Sequence, residues 1–488
     1  MVLARNTTPL LIFLAACAVY WNSLGGQFVF DDTSIIQSNP QIRSLAFSNL
    51  RHIFGSHYWQ TVAGQGGLYR PVVILSYALN YAAGGLDPWG YHLVNVLLHA
   101  ANSALVFLII RELFTDGSFA LWSGLLFALH PIRTEAVAYV VGRAESLAAF
   151  FFLLAWWWYL RHRTALAAAA FLLAVLTKES AFTFVVVPSL TDYATRQRPS
   201  LPRYALIALA AGVAIALRFA ALGGLAPLYI NPTSNPLAAA GITTRLLTAT
   251  HVFGKYLWLL LVPIPLSADY SFNQIALISS PAGLSFLIPA LALLVTIGAT
   301  ALVFARSERP WFLCGAFFLA TFSLTSNFVR PIGTIMAERL LYLPSLGFTC
   351  AVAWWIARAR RREAAIAAAV LLALLYAGRT VLRNADWKDH LALFSSAAEV
   401  SPNSSLVQAN LAGALLGSNP AAAAEHAREA IRIEPGDPAA HMALGEAYQR
   451  LGDLPHAAQA YAEVERLAPG TAGAQEAARR RQAILGRR

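Results

Sequence analysis

The chain has 488 residues, of which 57% are hydrophobic and only 12% charged, against about 25% charged in soluble domains. Together with a mean hydropathy of +0.54, this excludes a disordered chain, a collagen, a coiled coil and almost any soluble enzyme. The net charge of +11 sits at the ends of apolar runs and not along one face, which argues against nucleic acid as a partner and matches the basic bias of cytoplasmic membrane loops.

Arg5 is followed by an apolar run from Pro9 to Trp21, with no small-residue cleavage site after it. It reads as a first membrane span that doubles as an uncleaved signal anchor. Further apolar segments fall at 90–112, 118–130, 144–160, 164–177, 180–195, 203–222, 244–262, 283–305, 311–326, 341–358 and 363–379. Several are shorter than the roughly 20 residues a span needs, so their ends are expected to reach into the polar motifs between them. Four basic clusters, Arg161-His162-Arg163, Arg196 to Arg203, Arg306 to Arg309 and Arg358 to Arg362, are expected on the cytoplasmic side.

Three apolar segments lie between Arg203 and Arg306, where an even number of crossings is required. Segment 244–262 contains His251 and Lys255, ends in Pro263-Ile264-Pro265, and reads as re-entrant or flat. The expected fold is all-α: a polytopic bundle of about 11 spans over residues 1–380, N-terminus inside and C-terminus outside. Cys17, Cys314 and Cys350 all lie in apolar runs, so no disulfide framework or zinc site is implied.

Residues 381–488 are Ala-rich, charged and repetitive. Pro435 and Pro469 are 34 residues apart, and Leu411 and Leu444 are 33 apart. Leu444, Gly445, Tyr448, Ala457, Tyr461 and Pro469 fall on tetratricopeptide positions. A degenerate copy precedes them at 403–436, and Trp387, Leu391, Phe394, Ala397 and Pro402 read as a half-repeat before that. The alternative is an ordinary Ala-rich helical bundle. So few repeats are near the minimum for stability, so the module is expected to rest on the membrane domain.

Four polar stretches share one membrane face in this topology. Asp31-Asp32-Thr33 follows the first span. Adjacent carboxylates suit general-base work or cation binding, because a like-charged neighbour raises one pKa; the plainer reading is a helix cap. His130 to Glu145 holds Arg133, Glu135, Arg143 and Glu145. Arginine on the non-basic side suits a phosphate, or else a structural pair with Glu135 or Glu145. Lys178-Glu179 and Glu338-Arg339 are either internal ion pairs or anion-holding cations. His92, Asn95, His99 and Asn102 share one helix face and read as interhelical hydrogen-bonding glue.

These residues in this order carry a resemblance. Phe30-Asp31-Asp32 with Asn39-Pro40, Tyr69-Arg70-Pro71, the His130 to Glu145 stretch, Thr177-Lys178-Glu179, Asn231 to Pro236, and Ala337 to Ser345 precede the repeats. The chain thereby resembles the transmembrane-and-tetratricopeptide protein O-mannosyltransferases and their bacterial relatives, in the GT-C glycosyltransferase class.

The resemblance implies sugar transfer from a polyprenyl-phosphate donor to an extracytoplasmic acceptor, a protein hydroxyl or a glycan. It makes Asp31 or Asp32 the base. It makes Lys178, Arg143, Arg339 and Arg70 the donor-phosphate ligands, supported by His130, Glu135, Glu145, Glu179 and Glu338. No cofactor is required, and a divalent cation is compatible with the class. The repeats would face the extracytoplasmic side and offer a surface for a protein partner.

The chain departs from the animal members in having two or three repeats instead of many. Its Ala/Arg-rich, Lys-poor composition points to a GC-rich bacterium, an inner-membrane location and an undecaprenyl-based donor. A lipid-linked glycan ligase and a non-catalytic membrane scaffold are the competing readings. A transporter would predict ionisable residues near mid-span and internal duplication, which the sequence lacks.

Overall fold

The computed structural model describes residues 2–60, 67–224 and 230–486, with side chains from Thr7 onward. The described residues contain helices and loops and no strand. In chain order the membrane region holds α1 (Val2–Tyr20), α2 (Phe47–Phe54), α3 (Pro71–Gly84), α4 (Pro88–Phe114), α5 (Gly117–Leu129), α6 (Thr134–Val137) and α7 (Arg143–Leu160). It continues with α8 (Thr164–Thr177), α9 (Val187–Thr195), α10 (Leu201–Leu222), α11 (Ile242–Leu261), α12 (Leu284–Ala305), α13 (Arg309–Ser323), α14 (Ser345–Arg358) and α15 (Arg362–Asp386).

Five helices are long and apolar enough to cross a membrane: residues Thr7–Gly25, α4, α10, α12 and α15. This corrects the expectation of about 11 spans. The polar motifs do not extend the apolar helices. They wind into 3-10 turns at Pro131–Arg133, Glu179–Val186 and Glu338–Leu341, the first two leaving α5 and α8 short. Segment 180–195 is accordingly a 3-10 turn followed by α9. Segment 244–262, expected to be re-entrant or flat, is one continuous helix, α11. On α12 no residue is buried, and most of its apolar side chains are exposed on the side away from α11 and α13, as lipid contact requires.

The main core forms where α1, α4, α5, α7, α8 and α14 pack together. Polar side chains on α4 stitch it. Asn102 donates to the Ser146 carbonyl (2.8 Å) and the Tyr342 hydroxyl (2.9 Å), while His99 bonds Tyr342 and the Ala128 carbonyl. Both ring nitrogens of His99 are thus occupied by protein, in line with the glue reading.

The C-terminal region holds α16 (His390–Val400), α17 (Ser405–Leu415), α18 (Pro420–Ile433), α19 (Pro438–Leu451), α20 (Leu454–Leu467) and α21 (Ala472–Leu485). Each starts on a side-chain cap, from Asp389, Ser404, Asn419, Asp437, Asp453 and Thr471 in turn. Each packs on the next, and α17, α19 and α21 also touch in sequence. The boundary drawn at residue 380 falls inside α15, which runs unbroken to Asp386. Asn384 on that helix donates to the Val19 carbonyl at 3.0 Å, so the two regions are tied at α1.

Candidate active site

The site is built where the loop after α1, the turn between α6 and α7, the loop after α11 and the turn before α14 meet. Phe30 adopts a left-handed backbone (φ 53°), a conformation that costs a bulky residue free energy and is held only by its surroundings. Its ring packs on Tyr139 and Phe394. The turn that follows separates the two acids of the pair.

Asp32 is fully buried, and both carboxylate oxygens are engaged. Oδ2 accepts the Val29 N–H and Oδ1 the Val141 N–H, each at 2.9 Å. Burial pushes its carboxyl well above the usual carboxylate range, against the pull of those two N–H groups. Asp31 is only half-buried. Its backbone N–H donates to the Tyr139 hydroxyl at 3.1 Å, and among the described residues no backbone N–H donates to its carboxylate. Burial raises the Asp31 carboxyl, the Arg339 guanidinium and Tyr139 hydroxyl oppose this, and Asp269 and Glu135 add to the rise.

Arg339 is clamped by Glu135. Its backbone N–H donates to Oε2 at 2.8 Å, and its guanidinium pairs with Oε1. Glu135 is buried while Arg339 keeps 27% of its side chain exposed, so the cation keeps an open face, and its charge acts on Asp31. Arg70 pairs with Glu179 in a two-point contact of 3.0 and 2.5 Å. Glu179 is 43% exposed, and water screens that pair.

Lys178 and Glu145 form a closed ion pair, both under 10% exposed. Arg143 differs from expectation more sharply. It is fully buried and donates to Asn95 Oδ1 (2.8 Å), Asn80 Oδ1 (2.6 Å) and the Tyr91 carbonyl (2.8 Å), between the rings of Tyr77 and Tyr91. Every nitrogen of its fork already donates to the protein, and its place is that of a structural strut. Arg133 is also buried, stacked on Phe127 and bonded to Ser345 Oγ at 2.8 Å.

His130 and Glu338 act as braces. His130 Nδ1 accepts the Ile132 N–H, and Nε2 donates to the Leu260 carbonyl. Glu338 accepts from the Ser267 N–H (2.6 Å) and the Tyr270 hydroxyl (2.9 Å), with Arg383 at 3.8 Å. Burial pushes the Glu338 carboxyl up to about 7, against the Arg383 charge. Among the described residues, no three His, Cys, Asp or Glu side chains gather as cation ligands.

Three participants escaped the sequence. Tyr139 lies inside a quoted motif, but its hydroxyl carried no signal of its own. Asp269 sits in the loop after α11; its Oδ2 accepts from the Ser271 N–H and the Ser404 hydroxyl, each at 2.8 Å. Trp387 stacks on Tyr139 at 5.1 Å between centroids. Through Trp387, Phe394 and Ser404, the end of α15 and the helices α16 and α17 rest directly on the site.

A family model described as Protein O-mannosyl-transferase TMTC, DUF1736, matches residues 226–297. Protein O-mannosyl-transferase TMTC3 of Mus musculus is 30% identical over 512 residues, covering 95% of this chain and 55% of the relative. This chain is related to the TMTC family. Homo sapiens TMTC1 is 30% identical over 507 residues, covering 91% of this chain and 57% of its own. The chain therefore spans about half the length of the curated TMTC relatives it matches. The family-model match includes Asn235, whose side-chain amide binds Asn327 Oδ1 and the carbonyls of Ile332 and Thr334, and it includes Asp269. No solved structure matches the chain.

Proposed function

We propose that this protein is a membrane glycosyltransferase that moves a sugar, mannose by analogy with the names of its relatives, from a polyprenyl-phosphate donor to a hydroxyl of an extracytoplasmic protein. Asp31 is the base. It takes the proton of the acceptor hydroxyl as that oxygen attacks the anomeric carbon. The bond from that carbon to the phosphate oxygen breaks, the configuration inverts, and polyprenyl phosphate leaves with the bonding pair.

The carrying observation is the asymmetry of the acidic pair. Asp32 is engaged by two backbone N–H groups, whereas Asp31 is half-buried beside Arg339 with its carboxylate unclaimed by backbone. A raised pKa moves a carboxylate toward the operating pH of a general base. Arg70 and Arg339 are favoured as phosphate ligands, because each keeps an exposed face or an exposed, screened partner. Lys178 would have to leave a dry pair first. The C-terminal helices, read as tetratricopeptide repeats, would present the acceptor to this face.

The test is transfer of radiolabel from membranes loaded with polyprenyl-phosphate mannose to protein, comparing wild type with Asp31→Asn at matched expression. Loss of transfer in the variant supports the reading. Equal transfer in both would turn attention to a scaffold role.

A further inference from the structure

Tyr58 lies on the segment after α2, away from every motif that the sequence singled out. Its backbone N–H is held by the Leu68 carbonyl at 2.8 Å. Its ring sits in a small core with Ile53, Val73, Ile74 and Tyr77, and the Arg70 guanidinium lies 5.1 Å from the ring centroid. The residue is 3% exposed, yet its hydroxyl has no hydrogen-bond partner among the described residues. Burying a hydroxyl unpaired is unfavourable, and native structures rarely leave one so.

The surroundings of that hydroxyl say what would pair with it. The Arg70 guanidinium, favoured above as a phosphate ligand, lies against its ring, and the charges of Asp31, Asp32 and Arg339 also act on it. In the reaction proposed above, the breaking bond joins the attacked carbon to a phosphate oxygen. The phosphate must therefore lie one bond beyond the carbon that Asp31 serves, on the side of the cations. A phenol O–H there meets an anionic acceptor.

We propose that the Tyr58 hydroxyl donates a hydrogen bond to a phosphate oxygen of the polyprenyl-phosphate donor. The inference rests on the reading of the reaction given above. Arg70 supplies charge on one side, and the hydroxyl supplies direction.

The test is Tyr58→Phe in the full chain, in membranes. The ring and its stacking on Arg70 remain, so a purely structural tyrosine predicts unchanged or higher thermal stability with wild-type transfer. The proposal predicts that same stability with kcat/KM for polyprenyl-phosphate mannose lowered about tenfold or more. It also predicts that inhibition by polyprenyl phosphate without sugar weakens by the same factor. Wild-type kcat/KM in Tyr58→Phe overturns it. So does lowered transfer with unchanged inhibition by polyprenyl phosphate, which would put the hydroxyl on the sugar. If wild type transfers nothing from this donor, the reading of the reaction has failed. Direct binding of polyprenyl phosphate to the two proteins then decides Tyr58 separately, and equal binding overturns the proposal.

Discussion

Asp32 holds Val141: its Oδ1 accepts the Val141 backbone N–H at 2.9 Å, while Oδ2 holds Val29. One carboxylate thereby pins the loop after α1 to the turn before α7. Its neighbour Asp31 is left on the open side of the same turn. Two adjacent acids of one type are thus divided into a brace and an open carboxylate by backbone geometry alone.

The two substitutions should separate accordingly. Asp31→Asn is expected to lower transfer by about 10²–10⁴-fold with little change in thermal unfolding. Asp32→Asn turns one acceptor into a donor that faces a backbone N–H, leaving a buried group unpaired at a cost of about 1–3 kcal/mol. Its unfolding temperature should drop, and transfer should fall with it. Equal stability of both variants would contradict the division.

The pH dependence follows from the raised Asp31 carboxyl. The base works deprotonated, so transfer is lost as pH falls through that raised value. The acidic limb of kcat/KM should therefore lie above the ordinary aspartate value of about 3.9. Two variants shift it in opposite directions. Asp269→Asn removes a like charge and moves the limb down. Tyr139→Phe removes a hydroxyl that steadies the carboxylate and moves it up. Shifts of the same sign in both would exclude this electrostatic account.

Lys178 and Glu145 test whether a buried pair is structural. Lys178→Met alone strands a buried carboxylate and should cost about 3–5 kcal/mol. The double variant Lys178→Met/Glu145→Gln should recover most of that in a thermal unfolding scan. If transfer recovers along with stability, Lys178 has no direct role toward phosphate.

Gly142 is required by close approach. A Cβ there would lie 2.5 Å from the Glu135 carbonyl oxygen and 2.9 Å from the Tyr139 carbonyl oxygen. Both are backbone atoms that cannot rotate away. Gly142→Ala is expected to destabilise by about 1–3 kcal/mol and to displace the Val141 N–H from Asp32. A variant with normal stability and transfer would show that the turn is softer than this packing implies.

Much of the site was legible because its residues cluster in short polar stretches between apolar runs. Asp31, Glu135, Arg339, Arg70 and Glu179 all stood out as ionisable groups without an evident solvent role, and the fold pairs Glu135 with Arg339 and Arg70 with Glu179. Their partners were less legible. Arg143 read like Arg339 in sequence, yet only Arg339 keeps an exposed face. Tyr58, Tyr139 and Asp269 gave no signal of their own, and Trp387 read only as part of a half-repeat, since an aromatic or an isolated acid in a loop is ordinary until its neighbours are known.

Composition and apolar periodicity by themselves determined an all-α chain with membrane-length helices and a helical C-terminal region, because burial of apolar surface and local capping depend on nearby residues. Span count was misjudged, since hydropathy does not reveal where a chain tightens from α-helix into 3-10 turns. Only the tertiary structure decided which of two adjacent aspartates is held by backbone N–H groups, which cations are sealed and which stay open, and that Trp387 rests on Tyr139. Most of those outcomes depend on contacts between residues on different elements of the chain, where hydrogen-bond geometry and residual exposure exist only once the loops have met.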